Sequence, residues 1–203
     1  MVKAVVFDFD GTLVDSNHLK ENLFYEIVKN HPKGLILMKK ILSSNASDRY
    51  SIIKRYSESQ NNIEVSYKKL LSNFNKISTE KVSNAREISG ASELLNTLKK
   101  HKVDIYLSSA TPRYWLLKII SKRKWDGFFK QIFGFPQKKN DSIKKLLNKY
   151  DSSEIIIIGD GHDDEESAKN FNCKFFKVNQ TKSNQYSLTS PSLHKFIFSD
   201  DQK

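Results

Sequence analysis

Asp8 and Asp10 stand in the run DFDGTLVDS, residues 8–16, directly behind the apolar stretch Val2–Phe7. Side chains on a strand alternate between faces, so a carboxylate at the strand's end and another two residues on start from the same side. Once the chain turns at Gly11, both can converge on one small ligand. A carboxylate held against phosphorus becomes a useful nucleophile, and a second one beside it can carry a proton. Asp8 is therefore the candidate nucleophile and Asp10 the candidate acid and base. Alone, two aspartates at this spacing read equally well as a capped turn with a spare carboxylate.

Three further pieces follow in a workable order. The apolar segment Val103–Leu107 runs into Ser108-Ser109-Ala110-Thr111-Pro112, the pair Lys138-Lys139 opens a helical pattern, and Ile155–Ile158 runs into Gly159–Asp164, GDGHDD. With these pieces the chain resembles the haloacid dehalogenase superfamily of phosphatases and phosphotransferases over essentially its whole length. An aspartate at position 10 fits the phosphatase side of that superfamily, since the dehalogenases differ there and need no acid for a leaving group.

The resemblance implies an attack by Asp8 that leaves an aspartyl-phosphate, with Asp10 protonating the departing oxygen and then activating water. Phosphate esters are already anionic, so such a site must neutralise charge and hold the nucleophile in line. Asp8, Asp160 and the main-chain carbonyl of Asp10 are hard oxygen ligands suited to magnesium. Asp164 completes the acidic set, and Asp163 competes with it, although the family spacing favours Asp164. Ser109 offers its hydroxyl and Ala110 its N–H to a phosphoryl oxygen. Ser108 is the alternative to Ser109, and Thr111 reads as a helix cap. Lys139 would shield Asp8 from the phosphoryl group. Many relatives carry a proline after this lysine where Asn140 stands here, so Lys138 remains a substitute.

Gly11 and Thr12, in the turn behind the nucleophile, are taken as substrate-binding positions. Arg49, in Ser47-Asp48-Arg49-Tyr50 at a helix start, is placed to clamp a distal anionic group of the substrate, or else to lie on the surface. Asn17, His18 and Lys20 are candidates for the same pocket. His162 reads as a solvent-touching loop histidine, and Tyr114 and Trp115 as helix packing.

The elements that must position these groups alternate strand and helix, which builds an α/β, Rossmann-like parallel sheet covered on both faces. Strands are expected at Val2–Phe7, Val103–Leu107, Gln131–Phe135, Ile155–Ile158 and Lys174–Val178. Helices are expected at Ala91–Lys100, Tyr114–Ser121, Asp141–Asn148 and Asp164–Asn170. Residues 16–89 hold no strand of this type. Leu19, Leu23, Ile27 and Val28, then Ile52, Ile53 and Tyr56, then Tyr67, Leu70, Leu71 and Phe74 recur at helical spacing. The expected organisation is a core of residues 1–15 and 90–203 with a helical cap at 16–89. In the resembling family a cap so placed folds over the site and selects the substrate. The tail from Gln180 reads as loop, with Leu193–Phe198 docking back.

The composition suits a soluble globular chain, 38% hydrophobic and 28% charged. Its start does not read as a secretory signal, and no apolar run approaches a bilayer's span. The single cysteine, Cys173, rules out an internal disulfide and fits a reducing cytoplasm, where it is expected as a small buried hydrophobe of the last strand. The net charge of +11 raises nucleic acid as a partner. The lysines are nevertheless spread along amphipathic segments, with only Lys122-Arg123-Lys124-Trp125 as a basic run beside an aromatic. A small phosphorylated metabolite is the simpler partner for such a field.

The expected function is magnesium-dependent hydrolysis of a small phosphomonoester. The rivals are a sugar-phosphate phosphotransferase, a phosphatase of nucleic-acid ends, and a binding protein that keeps the fold without activity.

Overall fold

A computed structural model of the chain describes residues 1–44, 48–59, 66–178, 188 and 191–198. Ser47 and most of the tail expected as loop lie outside these residues. In chain order the elements are β1 (Ala4–Phe7), α1 (Asn17–Glu26), α2 (Gly34–Leu42), α3 (Arg49–Glu58), α4 (Tyr67–Asn84), α5 (Ala91–Lys100), β2 (Asp104–Pro112) and α6 (Arg113–Lys122). They continue as β3 (Gln131–Phe135), α7 (Lys139–Leu146), β4 (Ile155–Gly159), α8 (His162–Asn170), β5 (Lys174–Lys177) and α9 (Pro191–Phe198). The chain divides into two compact units, residues 1–16 with 83–203, and residues 17–82.

The first unit carries a five-stranded sheet of order β3-β2-β1-β4-β5, parallel throughout. Strands buried on both faces need continuous apolar runs, and β1 and β4 supply them as AVVF and IIIIG. The order reverses direction at β1. Right-handed crossovers then send α5 and α6 to one face and α7 and α8 to the other. Alternation divides the side chains accordingly. Ala4, Val6, Tyr106, Phe133, Ile155 and Ile157 pack with Ile143 and Leu146 of α7 and Ala168 of α8. Val5, Phe7, Ile105, Leu107, Ile156 and Ile158 occupy the alternate positions and are buried as well. α9 docks back through Leu193 and Ile197, with Phe196 against Phe176.

The second unit is helical. Leu23, Phe24, Ile27, Val28, Met38, Ile41, Ile52, Ile53, Tyr56, Leu70 and Phe74 form its core. The sequence reading found the apolar faces of α1, α3 and α4 but not α2. In its sequence GLILMKKIL the buried positions Gly34, Met38 and Ile41 adjoin the exposed apolar residues Leu35 and Ile36, which blur the stripe.

The unit boundary falls between Val82 and Ser83, earlier than the expected edge at Ser89. Residues 83–89 belong with the sheet because their main chain is tied to the loop after β1. Asp15 N–H donates to Arg86 O at 2.9 Å and Ile88 N–H to Leu13 O at 2.9 Å, with Val14 bridging Glu87. The basic run also proves structural at its arginine. Arg123 donates to the carbonyls of Ser83 at 3.1 Å and Ala85 at 2.8 Å and lies over the Trp125 ring, which satisfies carbonyls at the end of α4. Cys173 is half-buried in the turn ahead of β5 rather than within it. Burial pushes its thiol up to about 11.

At the amino end of β2, Asp104 gathers Lys130 Nζ at 2.6 Å, Lys149 Nζ at 2.9 Å and the Tyr150 hydroxyl. Partial burial alone would raise this carboxyl, but hydrogen bonds from Lys130, Tyr150 and Lys149 outweigh it and pull it down to about 2. A depressed carboxyl stabilises the fold above its unfolded value near 4, and that stabilisation is lost as the pH falls toward 2. The cluster is partly open to solvent, so its contribution is about 1 kcal/mol. Chemical denaturation from pH 5 to pH 2 should therefore show a shallower loss of stability in Asp104→Asn than in the parent. Parallel curves would remove Asp104 as the acid-sensitive group.

Candidate active site

The site lies at the carboxyl ends of β1, β2 and β4, beside the point where the strand order reverses. Asp8 follows β1, and its N–H makes one more rung to Ile158 O at 2.9 Å. Alternation buries Phe9 on the other side and returns Asp10 to the side of Asp8. The turn then closes through Gly11, whose N–H meets Val14 O at 2.7 Å and whose φ of 80° suits glycine.

Asp10 is held at both oxygens, by Ser16 Oγ at 2.6 Å and by Thr111 Oγ1 at 3.1 Å. Neither donor was anticipated in that role. Thr111 had been expected to cap α6, but β2 continues to Pro112, the helix starts at Arg113, and Pro112 takes the cap position without a side-chain cap bond. The threonine hydroxyl is thereby turned across to the neighbouring strand's loop. Thr12 is fully buried and donates to Asp160 Oδ1 at 3.2 Å, which steadies a carboxylate of the acidic cluster.

Asp160 and Asp164 arrive from the end of β4 and the first turn of α8. Among the described residues, Asp8, Asp160 and Asp164 form the group able to hold a metal ion, each offering an oxygen within 4.8 Å of the others. The carboxylate of Asp10 does not belong to it, being engaged by Ser16 and Thr111. Asp164 is 2% exposed and accepts from Gly161 N–H at 3.2 Å and from Lys139 Nζ at 2.6 Å. Asp163 is mostly exposed and touches Lys139 at 3.0 Å. His162, also exposed, opens α8 near Glu166.

Lys139 is the cation that pairs with Asp8, Asp163 and Asp164. Its side chain is 13% exposed and contacts Asp8 Oδ1 at 3.0 Å as well as Asp163 and Asp164. Burial opposes its charge, yet Asp8, Asp164 and Asp163 together hold its ammonium well above the usual range. Burial raises the Asp8 carboxyl, Lys139 draws it back, and Asp164, Asp10 and Asp160 push it up again. Asp164 is pushed up to about 6 by burial against the pull of Lys139. The converging carboxylate oxygens of Asp8, Asp160 and Asp164 are a hard donor set whose chemistry fits a divalent cation.

Alternation along β2 separates the two serines. Ser108 donates to Ser142 Oγ on α7 at 3.3 Å. Ser109 instead lines the cavity that Ala110 and Lys139 also line, and its Oγ accepts from Thr111 N–H at 3.1 Å. Lys138 is exposed at the cap position of α7.

Arg49 belongs to the helical unit, where it donates to Asn75 Oδ1 at 3.0 Å and lies over the Phe74 ring. Asp48 caps that helix through Tyr50 N–H and Ser51 N–H. Asn17, His18 and Lys20 sit on the first turn of α1 in the same unit. Tyr114 does not pack inward as expected, whereas Trp115 is half-buried. Tyr114 is 61% exposed and meets Trp115 edge to face, with Lys118 over both rings.

Sequence reasoning also passed over Gly159. A Cβ there would stand 2.3 Å from Asp164 Cγ and 2.6 Å from Asp164 Cβ, so the glycine makes room for the buried carboxylate. Gly159→Ala should displace Asp164, lowering stability by about 1–3 kcal/mol and turnover at least about tenfold. Thermal melting and phosphate release test this together; parent-like values in both would show that Asp164 needs no such room.

No helix among the described residues is long and apolar enough to cross a membrane. No curated protein sequence matches the chain. Among solved structures, it is similar to YfnB of Bacillus subtilis, solved with magnesium, at 16% identity and a TM-score of 0.72, covering 98% of this chain and 99% of that one. It is also similar to CbbY of Rhodobacter sphaeroides in complex with phosphate, at 13% identity and a TM-score of 0.70, covering 94% and 92%. A Haemophilus somnus protein assigned by prediction as a phosphoglycolate phosphatase aligns at 16% identity and a TM-score of 0.69, covering 98% and 97%. At such identities these likenesses speak for the fold. The family model of haloacid dehalogenase-like hydrolases matches residues 5–178, nearly the whole sheet unit together with the helical insertion, and the chain belongs to that family.

Proposed function

We propose that the chain is a magnesium-dependent hydrolase of small phosphomonoesters that works through an aspartyl-phosphate on Asp8. The observation that carries this reading is the cluster at the strand ends, where Lys139 touches Asp8 at 3.0 Å and Asp164 at 2.6 Å while Asp160 stands within metal-sharing distance of both acids.

Asp8, Asp160 and Asp164, with the main-chain carbonyl of Asp10, would hold magnesium, which would neutralise phosphate charge beside the nucleophile. Asp8 attacks phosphorus while Asp10, fixed by Ser16 and Thr111, gives a proton to the departing oxygen. Asp10 then takes a proton from the water that cleaves the acyl phosphate, returning Asp8 as a carboxylate. Ser109 Oγ, the Ala110 N–H and Lys139 Nζ bind the transferred group's oxygens, where charge is concentrated. The helical unit, inserted directly after the nucleophile loop, is read as a cap that selects the substrate and excludes water from the acyl phosphate. The single cysteine supports a reducing, cytoplasmic setting.

The test is a panel of phosphorylated metabolites offered to the purified chain with magnesium or with chelator, following inorganic phosphate. Release that depends on magnesium is the expected result. Conversion of a sugar phosphate to its isomer without release would mark a phosphotransferase instead, and no turnover of any ester would overturn the reading.

A further inference from the structure

Lys139 meets the acids at the end of a long lever. Its ammonium is a compact charge on a flexible four-carbon stem, so where that charge stands depends on how the first turn of α7 is held. Neutral side-chain hydrogen bonds hold the turn on two sides. Toward β2, Ser142 Oγ donates to Lys138 O at 3.2 Å and accepts from Ser108 Oγ at 3.3 Å. Toward α8, Ser167 Oγ donates to Asn140 Oδ1 at 2.7 Å. Ser142 and Ser167 are both buried, where water competes little for a hydroxyl.

The link to α8 bears on the catalytic cluster directly. Asp164 and Ser167 stand three residues apart on that helix, a spacing that puts them on one side of it, and their partners Lys139 and Asn140 are consecutive on α7. The ion pair of Lys139 with Asp164 at 2.6 Å and the hydrogen bond of Asn140 with Ser167 therefore join the same two helices within one turn. A substrate treats the two links differently. A phosphoryl oxygen bound by Lys139 competes with the carboxylates for the ammonium, whereas it has no charge to compete for between Asn140 and Ser167. The neutral bond then keeps the root of the lysine in place while the ammonium changes partners.

From this arrangement we infer that Asn140 and Ser167 are positioning residues for Lys139, their hydrogen bond fixing α7 against α8 so that the ammonium stays beside Asp8 and Asp164. The inference rests on the hydrolase reading for what Lys139 does to a substrate, but not for where Lys139 stands. Misplacement of a reacting group by about 1 Å can lower turnover about a hundredfold. Loosening one neutral bond displaces the ammonium only part of the time, and a loss of about tenfold is expected.

The test compares the parent with Asn140→Ala, Ser167→Ala and the double variant. With a hydrolysed ester and magnesium, each single variant should lower kcat about tenfold with KM within about twofold of the parent's, and the double variant should lose no more than either single one. Melting in chelator and in millimolar magnesium gives a readout free of turnover. A lysine that wanders leaves Asp8 and Asp164 less compensated, so magnesium should raise the melting temperature of both single variants by more than the parent's. Added to Lys139→Met, Asn140→Ala should leave the magnesium response unchanged, because the lever then carries no charge. A parent-like magnesium response in both single variants, or an effect of Asn140→Ala on that response that persists undiminished with Lys139→Met, would overturn the inference even if esters are hydrolysed. The enlarged response in a chain that hydrolyses no ester would support the positioning and overturn the hydrolase reading instead.

Discussion

Asp8→Asn is expected to lose phosphomonoester hydrolysis by a factor on the order of a thousand or more, with the fold intact. The amide keeps the shape and the main-chain rung to Ile158 O but cannot form the acyl phosphate. Stability should not fall with activity. Burial and the neighbouring Asp164, Asp10 and Asp160 already disfavour a charge on Asp8, and Lys139 retains Asp163 and Asp164 when Asp8 is neutralised. Melting temperatures at or slightly above the parent's, beside lost phosphate release, are the joint signature. Turnover within tenfold of the parent would reject Asp8 as the nucleophile.

The second large effect is at Lys139. Lys139→Met preserves the alkyl stem and removes the ammonium, leaving Asp8, Asp163 and Asp164 facing one another without it. Removing one partner of a buried ion pair costs about 3–5 kcal/mol, and loss of the ammonium at the phosphoryl oxygens should lower turnover by about a thousandfold. Stability and metal should become linked. A cation bound among Asp8, Asp160 and Asp164 offsets the repulsion, so magnesium should raise the variant's melting temperature by more than the parent's. Melting curves in chelator and in millimolar magnesium test this. Identical magnesium responses in the two proteins would show that the acids do not act together as a cation site.

Both substitutions fall on residues that the sequence offers as candidates, one of them as a member of a lysine pair. Asp8 could be placed because it stands at the end of an apolar strand, whereas the choice between Lys138 and Lys139 stayed open in the sequence, and only the structure brings Lys139 against Asp8 and Asp164. The sheet was legible for the same reason as Asp8. AVVF and IIIIG are apolar without interruption, as strands buried on two faces must be, and the segments between them carry helical periodicity. The exit of the chain into helices after Ser16 was equally visible.

What escaped the sequence was decided by contacts between distant segments. Whether Thr111 caps a helix or steadies Asp10 depends on where β2 stops, and β2 is prolonged by pairing with β3, in a register that shifts between Ser109 and Pro112. Thr12 turned inward because Asp160, far along the chain, offers an acceptor at 3.2 Å. Ser16 and Gly159 carry no periodic signal at all; one supplies a hydroxyl and the other empties a space that exists only once Asp164 is in place. α2 was missed because the exposed apolar residues Leu35 and Ile36 blur its buried face, and its burial is set by α1 and α3 beside it.

Local pattern thus specified which strands form, in what alternation with helices, and that acids and a lysine pair lie near strand and helix ends, because those properties reach only a few residues. Tertiary structure alone decided which hydroxyl serves which carboxylate, which of two adjacent serines faces the cavity, and how three acids and one ammonium share a buried volume. Hydrogen bonding and charge act between groups a few ångströms apart in space, and it is the packed sheet that brings such groups together from opposite ends of the chain.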